Sequence, residues 1–171
     1  MKVVPSSEIL ADKPAIVRRR PRTGAVRRED GVELFETVVV GADASDTATE
    51  AVRQAIELVK LTGGRLHIVS AYRPQQLSAS GADEKGLATG DLANSVLEDH
   101  ASRARAAGVT AETHARSGAA ADSIVEVAEE INADLIVVGN KGMAGVGRVL
   151  GSVPNSVAHR APCSVLIVQT T

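Results

Sequence analysis

Five short apolar runs, "TVVVGAD", "RLHIVSAY", "VTAETHAR", "DLIVVG" and "CSVLIVQT", alternate along the chain with segments whose apolar residues recur at three-and-four spacing. The first kind of segment suits a buried strand and the second an amphipathic helix. Strands joined by crossovers of helical length run parallel, and the crossovers are right-handed. The alternation therefore predicts an α/β fold: one open five-stranded parallel sheet with helices on both faces.

The details support this reading. "TVVVGAD" is β-branched on both parities, as a strand covered on both sides requires. The helix after it has Ala48, Ala51, Val52, Ala55, Ile56 and Val59 on one face. Ser45 and Asp46 are its cap candidates, and Gly63 and Gly64 end it. A second helix is predicted to run to about Ala107 with Leu92, Val96 and Leu97 inward. A third has Ile124, Val127, Ala128 and Ile131, and a short fourth begins near Ser152. Residues 73–88, rich in Gly, Ser and Pro, read as a long connection, either disordered or a lid.

Residues 1–34 lack this order. They contain three prolines and a basic cluster without periodicity, and read as a disordered basic leader to a domain spanning 35–171. Residues 1–35 hold eight Lys or Arg against five Asp or Glu, while the rest holds eleven against sixteen. Such a tail can meet nucleic acid, an acidic membrane or a partner, or simply stay solvated.

Aromatic residues are 1% of the chain, so the core is built from Val, Ile, Leu and Ala. Base stacking on aromatic rings is thereby excluded as a main mode of binding, and no nucleic acid is expected as partner. Cys163 is alone and falls in the last predicted strand, where it reads as a small apolar residue. No secretory leader opens the chain, and no apolar run approaches the roughly 20 residues of a membrane span. The expectation is a cytoplasmic protein. His67, His100, His114 and His159 fall on separate elements without metal-ligand spacing and read as structural or surface residues; no metal ligand is assigned.

In open parallel sheets, ligands sit outside the carboxyl ends of the strands where the strand order reverses. The ends of the first and fourth strands, at Asp43 and Gly139, are the places to look. After the fourth strand comes "GNKGMAGVGRVLGSVPNS", residues 139–156, with five glycines and two basic side chains, Lys141 and Arg148. A phosphate seat needs converging backbone N–H groups, which glycine permits, and a helix N-terminus facing the anion. Ser152 suits a helix N-cap or a phosphate contact, and Pro154 suits the first turn. The same residues also suit a plain flexible turn. The Gly-Lys-Ser/Thr of a P-loop is absent, and "GVGRVLG" misses the dinucleotide fingerprint by one residue.

The segment resembles the universal stress protein family, whose nucleotide-binding members carry Gly-two-Gly-nine-Gly-Ser/Thr after the fourth strand. The likeness spans residues 36–169, from "VVVGADASDTA" to "GSVPNSVAHRAPCSVLIV". Gly139 and Gly142 keep the family spacing, but eight residues rather than nine stand between Gly142 and Gly151. The resemblance implies a Rossmann-like sheet of the adenine nucleotide alpha hydrolase type in the order 3-2-1-4-5. It also implies that Asp43 meets a ribose, that Ala71 lies beside adenine and that Gly139 borders the ribose. Gly142, Gly151, Ser152 and Val153 would then meet phosphate, with Lys141 and Arg148 adding charge. ATP is the implied ligand, with Mg²⁺ on its oxygens, and AMP or cyclic AMP share the adenosine half.

Three readings of function follow. The first is a regulatory or sequestering nucleotide-binding module of stress response. The second is a slow ATPase or phosphotransferase, against which no residue near the loop pairs a general base with a nucleophile. The third is a protein-interaction module with a vestigial pocket. The apolar last strand needs cover, and the family likeness implies a homodimer through it.

Overall fold

The computed structural model describes residues 35–73, 83–140 and 151–169, the side chains of 83–89 excepted. The leader at 1–34 lies outside the described residues, as do Lys141, Gly142 and Arg148.

The elements run β1 (Thr37–Gly41), α1 (Asp46–Thr62), β2 (Arg65–Tyr72), α2 (Asp83–Ala106), β3 (Ala111–Ser117), α3 (Ala120–Glu130), β4 (Leu135–Gly139), α4 (Ser152–Arg160) and β5 (Ser164–Val168). All five strands form one parallel sheet in the order β3-β2-β1-β4-β5. This is the expected fold and strand order.

Side chains of successive strand residues point to opposite faces, and the central strands are apolar on both. Val38 and Val40 pack with Leu66, Ile68, Leu135 and Val137 beneath Val52, Ile56 and Val59 of α1 and Leu97 of α2. Val39, Val69, Ile136 and Val138 meet Ile124, Val127 and Ala128 of α3 and Val157 of α4 on the other face. Two helices thus cover each face.

The start of the sheet is also tied by a polar clip. Asp134 Oδ2 accepts from the N–H groups of Glu36 and Thr37, at 3.2 and 2.9 Å, and the Asp134 N–H donates to the Thr37 carbonyl. This fixes the register of β4 against β1 at the end opposite the strands' carboxyl termini.

Helix ends follow local chemistry. Ser45 caps α1, its Oγ accepting from the Ala48 N–H, and Gly63 closes it at φ 72° in the left-handed region that favours glycine. The six inward residues of α1 are those the spacing predicts. After α3, Asn132 takes φ 52° and the Ala133 N–H returns to the Ala128 carbonyl, so Ile131 lies past the helix rather than within it.

Three further expectations need correction. Leu92 is exposed, and the buried stripe of α2 is instead Ala93, Leu97, His100, Ala101 and Ala104. The same helix begins at Asp83, inside the segment read as a connection, because Gly86 and Gly90 weaken its helical signal. Cys163 lies just ahead of β5, half-buried against the α3–α4 side of the core.

Candidate functional site

The chain places β2 and β3 on one side of β1, then crosses to place β4 and β5 on the other. The order therefore reverses between β1 and β4. There, crossovers depart to opposite faces and leave a crevice beyond the strand ends. A cleft of about 180 Å³ occupies this position.

Its floor is made by the ends of three strands, at Gly41, Val69 and Val138, with Gly139 beside them. Thr47 and Ala48 of α1, Ala120 and Ile124 of α3, and Val153 and Pro154 of α4 form the walls. The β1–α1 turn contributes Ala42, Asp43 and Ser45, and β2 contributes Ala71. Four residues singled out from sequence, Asp43, Ala71, Gly139 and Val153, thus meet in one cleft although they come from four parts of the chain.

The turn that carries Asp43 is held by its own side chains. Asp43 Oδ1 accepts from the Ser45 N–H at 2.8 Å, and Ser45 Oγ bonds Thr47 Oγ1 at 3.0 Å. The Asp43 carboxylate is exposed at the cleft rather than capping the helix, a role that Ser45 fills. Beneath it, buried His100 brings Nε2 to 3.4 Å from the Asp43 carbonyl, while its Nδ1 has no hydrogen-bond partner among the described residues. His100 was not legible as part of this turn, since only the packing of α2 brings it there.

Gly139 has a reason in packing as well as in any ligand contact. A Cβ at this position would lie 2.8 Å from the Thr47 carbonyl oxygen, inside backbone contact distance. The start of α1 therefore crosses β4 more closely than any side chain would allow.

At the far wall, the sequence reading of Ser152 as N-cap is corrected. Gly151 occupies the cap position and Ser152 is the first helical residue of α4, exposed, with no side-chain cap. Glycine is an accepted cap. The first N–H groups of an α-helix have no intrahelical partner. Asn155 makes the first such bond to Gly151, and Pro154 has no N–H, which leaves Ser152 and Val153 as donors at the cleft end of α4.

Among the described residues lining the cleft, Asp43 is the sole ionisable side chain. The rest of the surface is apolar or hydroxyl-bearing, which suits a flat uncharged ring system with a few oriented polar groups.

Sequence and structure comparisons identify the family. The Universal stress protein family matches residues 34–169. The chain belongs to this family. Universal stress protein Rv1636 of Mycobacterium tuberculosis is 42% identical over 147 residues, covering 82% of this chain and 100% of the relative. A solved universal stress protein in complex with cAMP is 40% identical, with a TM-score of 0.66 over 80% of this chain and 99% of its own. The universal stress protein from Archaeoglobus fulgidus in complex with dAMP is 27% identical, with a TM-score of 0.60 over 78% of this chain and 98% of its own. The family expectation from the glycine spacing and strand pattern is thereby met. No helix among the described residues of this universal stress protein is long and apolar enough to cross a membrane.

Proposed function

We propose that the cleft binds an adenine nucleotide and that the protein acts as a regulatory or sequestering module in stress response. The observation that carries this is the convergence of Asp43, Ala71, Gly139 and Val153 on one cleft at the reversal point of the sheet. Adenine stacks beside Ala71, the ribose lies between Asp43 and Gly139, and the first phosphate takes the Ser152 and Val153 N–H groups at the start of α4. Gly142, Gly151, Lys141 and Arg148 complete the phosphate side.

The cAMP and dAMP bound to two solved relatives support an adenosine monophosphate in this position. We infer that cyclic AMP and AMP bind more tightly than ATP, whose outer phosphates and Mg²⁺ depend on a glycine loop one residue shorter than the family spacing. Among the described residues the cleft has one carboxylate and no paired general base, which favours binding over hydrolysis. A cytoplasmic site of action fits a nucleotide ligand.

The test is mass spectrometry of small molecules released from the purified protein on denaturation, then calorimetric titration with cyclic AMP, AMP and ATP. Micromolar binding of a monophosphate, lost in Gly142→Val and Gly151→Val, is the expected result. Absence of binding at millimolar nucleotide sinks the proposal and leaves the interaction-module reading in its place.

The last strand supports a homodimer. β5 is a sheet edge, and Leu166 on it is 39% exposed. An apolar edge without a partner strand among the described residues templates association.

A further inference from the structure

Beside the cleft, β2 and β3 pair with His67 opposite Glu112 and Val69 opposite His114. Side chains two apart on a strand share a face, so His67, Glu112 and His114 stand together on the α3 side of the sheet. His67 Nδ1 is 3.1 Å from His114 Nε2 and 3.7 Å from a Glu112 carboxylate oxygen, and one ligand atom from each residue lies within 4.8 Å of the others.

These separations have a meaning for metal chemistry. Tetrahedral Zn²⁺ with bonds of about 2.0–2.1 Å holds its ligand atoms about 3.3–3.4 Å apart. The two separations from His67 Nδ1, 3.1 and 3.7 Å, bracket that value. The rings are tilted by 31° with centroids 5.3 Å apart, so the pair is not a parallel stack.

We propose that His67, Glu112 and His114 form a site for a divalent transition metal, best suited to Zn²⁺, which fastens the edge strand β3 to β2. Two imidazoles and a carboxylate are borderline donors that favour Zn²⁺ over the hard cations Mg²⁺ and Ca²⁺.

The surroundings permit a cation. Arg116 shares this face but is engaged by Glu130 in an ion pair. Glu112 is largely exposed and His114 half-exposed, so an ion has a route in, whereas His67 is buried and fixed. The site borders the cleft without lining it: Val69, in the cleft floor, is the strand partner of His114, whereas His67, Glu112 and His114 are not among the lining residues.

The test uses the full chain, free of tag and nucleotide and stripped with chelator, titrated with Co²⁺ and then Zn²⁺. One Co²⁺ per chain with the visible spectrum of a tetrahedral site, displaced by Zn²⁺, is expected. Zn²⁺ is also expected to raise the melting temperature. Even outer-shell changes at metal sites weaken binding about 10–100-fold, so His114→Ala is expected to weaken it at least about a hundredfold. Glu112→Gln, at an exposed position, gives a second variant that keeps the fold, with a loss of at least about tenfold. His159→Ala, on α4, leaves binding intact. No uptake at millimolar Zn²⁺, or uptake unchanged in both His114→Ala and Glu112→Gln, overturns the proposal.

Discussion

At the scale of single residues, the cleft is made from positions that serve the fold and the ligand together, and substitutions can separate the two roles. Gly139→Ala places a methyl group 2.8 Å from a backbone oxygen that has no rotamer to escape by. The expected loss is about 1–3 kcal/mol in a urea titration; an unchanged midpoint would mean that α1 shifts freely over β4. Asp43 offers the complementary test. Asp43→Asn keeps an oxygen for the Ser45 N–H but removes the charge, whereas Asp43→Ala loses both. Stability is expected to fall by about 0.5–1.5 kcal/mol in the alanine variant only. Calorimetric affinity for cyclic AMP is expected to fall in both if the carboxylate holds the ribose. Equal affinity in wild type and Asp43→Asn would reduce Asp43 to a turn former.

At the scale of elements, apolar periodicity was a reliable guide where the buried residues are large and a poor one where they are small. All six inward positions of α1 were legible because Val52, Ile56 and Val59 mark the face between the alanines. In α2 the buried stripe is mostly alanine with one histidine, and the larger Leu92 drew attention to the wrong face. Leu92 and Leu97 of that helix therefore make a direct comparison. Leu97, 3% exposed, is expected to lose about 2–5 kcal/mol as Leu97→Ala. Leu92, 62% exposed, is expected to stay within about 0.5 kcal/mol as Leu92→Ala. Chemical denaturation of the two variants decides it, and a larger loss at Leu92 would mean that this face is covered by something outside the described residues.

At the scale of the whole molecule, the position of the cleft was legible because the order of the strands fixes where crossovers part, and that order follows from the family likeness. The joining of His67 to Glu112 and His114 was not, since it depends on the register of β2 against β3, which no local pattern carries. Nor was the cap at Gly151, because Ser152 and glycine both satisfy the same rule. The sheet's two edges now differ in what they need. β3 has polar and charged side chains along its outer rim, which discourage pairing, whereas β5 presents Leu166 with Val165 and Ile167 only partly covered by α4. If two copies join through β5, Leu166, 39% exposed, moves into the contact, and burying that remainder stabilises by about 0.6–1.2 kcal/mol per copy. Light scattering at micromolar concentration is expected to give twice the chain mass for the wild type and the single-chain mass for Leu166→Glu, with unchanged helical circular dichroism. A wild-type monomer, or a Leu166→Glu dimer of undiminished affinity, would remove β5 as the contact.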